Sequence, residues 1–305
     1  MRCGAGFQRF QPARANPCSQ DGCTTINHAY LPLPTRHVLT KPPQSVLKRE
    51  AITVMRLALA LAIHLITLAS LRAGWTFSPA EPQKAPPGLE FIQRKASNDS
   101  QTAELSIVSF SPKTHTFGVM DNPAGAFDAG SAALKRGALA AVNGGYFHPD
   151  RTPLGLVVRQ GVEIHPLEKA KLLSGLVVVA GDQINLRRAS EFKASPAIRE
   201  ALQAGPFLVD AAKPVAGLDN TRQAARTVVF IESTGRCGFL TCKSLTLAQT
   251  ADLLATPSLV GAGKVVRALN LDGGSSTALW VRSEPVFYER EWKSVRNYLA
   301  IVPKP

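Results

Sequence analysis

The sequence predicts an α+β fold, with a mixed, mostly antiparallel sheet and a few packed helices. Three observations lead there. Short apolar or alternating runs, many bounded by glycine, outnumber helical patterns after residue 89. Strand and helix signals do not alternate regularly, which argues against a doubly wound sheet. The dipeptides Gln160, Gly161 and Gly181, Asp182 sit between adjacent strand-like runs, as hairpin turns do.

Taken in order, residues 1–54 are rich in Pro and Arg, lack periodicity and carry Cys3, Cys18 and Cys23. Met55 and Arg56 then open an apolar stretch over 57–71, closed by Arg72, Ala73 and Gly74. A basic start and about fifteen apolar residues match a secretory signal peptide, whereas a spanning helix wants roughly 20. Residues 55–74 are therefore expected to be a signal peptide or, given the poor cleavage site at Leu71 and Arg72, an N-terminal anchor. Export to the periplasm or outside the cell, with a tether in the second case, is the expected localisation. Translation starting at Met55, or removal of an extension, would account for residues 1–54 as a disordered or mis-assigned segment. An N-terminal sequence of the natural protein containing Cys3 or Cys18 would refute it.

Pro79, Pro82, Pro86 and Pro87 mark residues 75–88 as a Pro-rich linker, and residues 89–305 read as one domain. Within it, strands are expected over 104–110, 138–143, 155–159, 162–165, 176–180, 226–231, 265–271 and 277–281. Helices are expected over 129–135, over 197–203 behind an N-cap Ser195 and first-turn Pro196, and over 248–254 behind a Thr246/Gln249 capping box. Cys237 and Cys242 fall in an apparent hairpin loop. They could form a small disulfide in an oxidising compartment or stay as two buried thiols.

The net charge of +13 divides into +5 over residues 1–54 and +6 over residues 74–305, so the domain is only mildly basic. With no Lys/Arg run interleaved with aromatics and no zinc-finger spacing, nucleic acid is not an expected partner. A Gly-x-Ser-x-Gly elbow is absent, and Gly261, Gly263 and Lys264 lack the spacing of a phosphate-binding loop.

Two segments share a construction. Residues 139–143 are an apolar strand ending in Asn143, Gly144 and Gly145; residues 268–271 lead into Asp272, Gly273, Gly274, Ser275 and Ser276. Each delivers one polar side chain and then two glycines, which permit close approach of a ligand and can form an anion-holding nest. Asn-Gly and Asp-Gly are equally the commonest hairpin turns. Tyr146 and Phe147 follow the first pair as stacking aromatics. Arg226, opening an apolar strand, could pair bidentately with a phosphate or simply bond strand-end carbonyls. His148, Asp150 and Glu163 are further acid, base or ligand candidates, with a solvated loop the blander fate of the first two. No cofactor is required by any motif; a divalent cation near Asp272 is compatible with the residues there.

The runs Asn143 to Phe147 with 153–156, 205–208, 225–227, 244–247 and 270–276 occur in the order of the phosphodiester glycosidase domain, which this chain resembles from about Leu89 to its end. The chain departs from many members by lacking a third glycine before Ser275. The resemblance implies a hydrolase that cleaves the bond between a sugar's anomeric carbon and a phosphate. It puts Asn143, Arg226 and Asp272 in the catalytic site, with Gly144, Gly145, Tyr146, Phe147, Gly273, Gly274, Ser275 and Ser276 on the substrate. The expected partner is a sugar phosphodiester or an envelope polysaccharide, with membrane contact only through an uncleaved anchor. A non-catalytic glycan-binding or polysaccharide-export accessory protein using the same cleft is the alternative.

Overall fold

The computed structural model describes Met55 and residues 74–304. The expected extension and most of the signal or anchor segment lie outside the described residues. Over the described part the elements are β1 (Thr76–Phe77), β2 (Glu81–Gln83), β3 (Leu89–Ser97), β4 (Thr102–Phe110), β5 (His115–Asp121), α1 (Ala129–Arg136), β6 (Ala140–Asn143), β7 (Val157–Arg159), β8 (Val162–His165), β9 (Gly175–Ala180), β10 (Gln183–Arg188), β11 (Ile198–Ala204), β12 (Phe207–Asp210), β13 (Lys213–Pro214), β14 (Ala224–Glu232), β15 (Cys237–Leu245), α2 (Leu247–Ala255), β16 (Val265–Asn270), β17 (Leu279–Val281), β18 (Phe287–Glu289) and β19 (Asn297–Pro303).

These strands make three sheets. Nine strands run in the order β1-β3-β4-β15-β14-β16-β12-β13, with β2 added to β3; five run β10-β9-β11-β7-β8, and five run β18-β17-β6-β19-β5. Every pairing among them is antiparallel. The inner faces of all three sheets share one apolar core, to which Phe110 and Val229, Val142 and Ile301, and Val177 and Leu202 contribute. Alternation along β14 then turns Val228 and Phe230 into a second core, where Leu253 and Leu254 of α2 cover the large sheet. Helix α1 covers the sheet containing β6 with Ala129, Ala132 and Ala133.

The domain is thus predominantly β, which corrects the α+β expectation. Two predicted helices are present. Asp128 caps α1 by accepting from the Ser131 amide (2.8 Å), and Gly137 closes it at φ 69°. Thr246 and Gln249 form the expected capping box at α2. The third is instead β11, lying between β9 and β7. Leu202 and Ala204 face the central core while Ile198 and Ala201 face a smaller one, so burial on both sides erases strand alternation and leaves a helix-like sequence. Ser195 and Pro196 make a turn, in which the Ile198 amide donates to the Ser195 carbonyl.

The expected linker over 75–88 is also built into the sheet. Both β1 and β2 pair with β3, and Trp75 is buried in the core beneath α2. Cys237 and Cys242 lie within β15 rather than in a hairpin loop, and both are free. Five strand residues apart, they point to opposite faces and stand roughly 17 Å from each other along the strand. Cys237 enters the central core and Cys242 the outer one, which excludes the disulfide.

Candidate functional site

Neither glycine pair makes a hairpin. Strand β6 ends at Asn143 and the chain leaves for β7 in another sheet; β16 ends at Asn270 and the chain crosses to β17, beside β6. The two crossings meet. The Asn143 amide Nδ2 donates to the Asp272 carbonyl (2.6 Å), and the Asp272 N–H donates to the Gly144 carbonyl (3.0 Å). Asn143 is 0% exposed, and its Oδ1 accepts from the Thr227 hydroxyl (2.6 Å) and the Ala278 amide (3.1 Å). Its side chain is fully engaged within the protein.

The first glycine pair is closed against β19. Gly144 N–H donates to the Asn297 carbonyl (2.9 Å) and Gly145 N–H to Asn297 Oδ1 (2.8 Å), so neither amide is available to an anion. A Cβ on Gly144 would strike the Asn297 side chain, and one on Gly145 would lie 2.8 Å from the Gln203 carbonyl. Close packing explains both glycines. Tyr146 follows with its hydroxyl buried, donating to the Gly205 carbonyl (2.7 Å) and accepting from Asn270 Nδ2 (3.0 Å). Burial beside Asp272 raises its phenol well above the usual range. Phe147 packs into the core under α1, with Arg151 over its ring at 5.6 Å.

Asp272 is largely enclosed. Burial pushes its carboxyl above the usual aspartate range, opposed by the Ser276 side chain, the Gly273 amide and the charge of Arg222. The Gly273 N–H donates to Asp272 Oδ1 (2.8 Å). A Cβ on Gly273 would sit 2.7 Å from the Ala225 carbonyl, while Gly274 takes φ 62°. Ser276 is buried and Ser275 exposed; the Gly274 and Ser275 amides have no hydrogen-bond partner among the described residues.

Arg226 is 8% exposed at the start of β14. Its Nε donates to the Leu245 carbonyl (2.7 Å) and one terminal nitrogen to the Arg222 carbonyl (2.7 Å). Among the described residues no carboxylate lies within ion-pair distance of it, and burial lowers its pKa. A buried guanidinium without a carboxylate is costly unless an anion is to be received. Arg222, exposed on the preceding loop, acts electrostatically on Asp272, Tyr146 and Arg226 alike. Four groups, Asp272, Arg226, Arg222 and Tyr146, therefore converge where β14 begins and β16 ends.

A cleft of about 580 Å³ opens beside this cluster, lined by Ala225, Lys243, Gly274, Ser275, Thr277, Glu289, Arg290 and Trp292. Asp272 and Arg226 adjoin its lining along the chain. His148 and Asp150 are exposed in the turn after the first glycine pair, and Glu163 is exposed on β8. Among the described residues no three His, Cys, Asp or Glu side chains are grouped as metal ligands would be. Thr227 and Asn270 stand in the sequence only as members of the runs 225–227 and 270–276, and Arg222, Asn297 and Trp292 lie outside every run.

A family model for phosphodiester glycosidase matches residues 136–302. Among solved structures the chain is similar to the catalytic domain of zebrafish N-acetylglucosamine-1-phosphodiester alpha-N-acetylglucosaminidase, auto-inhibited by its pro-peptide. That similarity has 16% identity and a TM-score of 0.55, over 78% of this chain and 91% of that one. It is also similar to a hypothetical protein from Synechocystis, at 16% identity and a TM-score of 0.51, over 74% of this chain and 64% of that one. No curated protein matches it by sequence. At these identities the structural likenesses speak for the fold alone.

Proposed function

Because the chain belongs to the phosphodiester glycosidase family, we propose that it hydrolyses the bond between a sugar's anomeric carbon and a phosphate oxygen in a sugar phosphodiester. The observation that carries this reading is the presence of two unusual groups at neighbouring strand ends: a buried guanidinium with no carboxylate within ion-pair distance among the described residues, and a partly buried carboxyl held above its ordinary range. The first suits a phosphate, the second the sugar.

In the reaction, the oxygen of water adds to the anomeric carbon, the carbon–oxygen bond to phosphorus breaks, and the phosphate departs with the electron pair as a monoester. A phosphate monoester has a second pKa of about 6, so it leaves without a strong general acid. Arg226 and Arg222 hold the departing oxygens, joined by the free amides of Gly274 and Ser275 and the Ser275 hydroxyl. Asp272 takes the proton of the attacking water or attacks the carbon itself. Asn143 positions Asp272 from behind. Product stereochemistry followed by NMR separates the two roles of Asp272, inversion for the base and retention for the nucleophile.

The test is release of sugar and phosphomonoester by the full chain from a panel of sugar 1-phosphodiesters, headed by N-acetylglucosamine because the zebrafish relative's name specifies it. Loss of turnover in a folded Asp272→Ala variant supports the proposal. No turnover across the panel, with saturable glycan binding, would replace it by the binding-protein reading. The same proposal places the enzyme outside the cytoplasm, on the strength of the apolar segment after Met55. Recovery of the mature protein in the cytoplasm with that segment intact would refute it.

A further inference from the structure

Positive charge that the proposed reaction does not use gathers on the side of the small sheet away from the cleft. In the order β18-β17-β6-β19-β5, Glu289 of β18 lines the cleft, whereas β5 is the opposite edge, four strand spacings or roughly 19 Å away. Against β5, at the end of α1, lies a cavity of about 220 Å³ whose lining includes Met120, Asp121, Phe127, Lys135, Arg136 and Arg159. A second cavity of about 390 Å³ adjoins it at Arg136, which lines both, and adds Arg199, Glu200, Asp182 and Lys304.

Every carboxylate in these linings is already engaged. Asp121 pairs with Arg296 and Asp182 with Lys304 (3.2 Å), while Glu200 lies 3.6 Å from Arg136 and accepts from the Val119 amide (3.2 Å). Lys135, Arg159 and Arg199 are left with no carboxylate within ion-pair distance among the described residues. Lys135 sits over the Phe127 ring (4.6 Å), which steadies the ammonium without neutralising it. Arg159 is half-buried, and its Nε is enclosed with no acceptor among the described residues. An enclosed guanidinium nitrogen left unpaired costs free energy that an arriving anion would recover.

The three cations stand on α1, β7 and β11, so the packed fold sets their arrangement. Two linked cavities with unneutralised charge in each suit a chain bearing several anions better than a single ion. Phosphate is the matching group, because a guanidinium fork takes its oxygens bidentately. A nucleic acid would also need its bases received. The aromatic rings in the linings are Phe117, which is fully buried, and Phe127, which is half-buried beneath Lys135, so neither is free to stack.

We infer that the two cavities form an anion-binding groove, separate from the proposed active site, that holds an extended phosphate-bearing chain other than a nucleic acid. Arg159 and Arg199 grip neighbouring phosphates, and Lys135 adds attraction at longer range. None of these residues lines the cleft, so the groove does not depend on the glycosidase reading.

The full chain is titrated calorimetrically at about 50 mM salt, where exposed charges are weakly screened, with inorganic tripolyphosphate and with an oligomer of glycerol phosphate. Saturable binding of either probe that weakens about tenfold or more in Arg159→Gln/Arg199→Gln, and changes less than about twofold in Arg226→Lys, supports the groove. Tighter binding of the oligomer then marks a polymer of spaced phosphodiesters as the source, and tighter binding of tripolyphosphate a condensed phosphate. Should the half-buried Arg159 be needed for folding, Lys135→Gln/Arg199→Gln repeats the test on exposed residues alone. No binding by the wild type, undiminished affinity in a folded groove variant, or loss in Arg226→Lys alone overturns the inference. So does an oligothymidylate of equal charge that binds more tightly than both probes through the same arginines.

Discussion

The Asn143 amide donates to the Asp272 carbonyl at 2.6 Å, fastening the tip of a five-stranded sheet to the tip of the nine-stranded one. The two glycine-tipped segments that look alike in the sequence are thereby halves of one joint. One half supplies a buried clamp, and the other a carboxylate at the edge of solvent.

Asn143→Ala removes partners from the Thr227 hydroxyl, the Ala278 amide and the Asp272 carbonyl together. Leaving several buried polar groups unpaired is expected to cost about 2–4 kcal/mol, measured by urea unfolding. Were the amide instead a direct substrate ligand, KM would rise with stability unchanged.

A carboxyl whose native pKa is raised holds its proton better when folded. That protonated form contributes stability below the unfolded pKa of aspartate, and the contribution is lost as pH rises through the raised native value. Asp272→Asn is accordingly expected to raise Tm at neutral pH while abolishing turnover. If the carboxylate form is the active one, the acid limb of the kcat/KM profile lies above the ordinary aspartate range. Arg222→Gln removes a charge that lowers this pKa, and so moves the limb further toward alkaline pH.

Inorganic phosphate should stabilise the wild type through Arg226. At ten times its Kd the gain is about 1.4 kcal/mol, or roughly 3–6 °C in Tm for a domain of this size. Arg226→Lys keeps the charge but loses the planar fork, and at the same phosphate concentration the shift should fall by more than half in a thermal melt. An undiminished shift would locate the anion elsewhere.

Burial pushes the thiols of Cys237 and Cys242 up to about 12. Both should resist a thiol reagent until the protein unfolds, and dithiothreitol should leave the Tm of the domain unchanged. Rapid native labelling of either would contradict the strand position of β15.

Much of the fold is legible where one face is buried and the chain is short of polar interruptions. The strand at 162–165, the apolar run of β14 and both capped helices announce themselves through alternation or cap chemistry. What misleads is burial on both sides. Ile198 to Ala204 looks helical because its polar Glu200 and Gln203 are themselves buried and break the alternation, and β15 looks like a loop because Gly238 and Lys243 interrupt it. Trp75 and the prolines after it read as linker, since pairing with β3 is a property of distant residues. At the site, Asp272, Arg226 and Asn143 stand out through their glycines and apolar approach. Arg222 and Trp292 do not, because each owes its place to a loop whose path is set by packing far along the chain.

Gly273 lies flush against the Ala225 carbonyl, leaving no room for even a methyl group on that side of the cleft. Bonded to Ser275 of the same turn, residues 288–293 carry the exposed Trp292 and Arg290 on a backbone anchored from beneath. For anyone seeking variants with altered selectivity, the glycine turn is a fixed jaw and the tryptophan segment an adjustable one. Libraries concentrated on Lys243, Arg290 and Trp292 should yield folded proteins with new preferences, whereas those aimed at Gly273 should mostly yield unfolded ones.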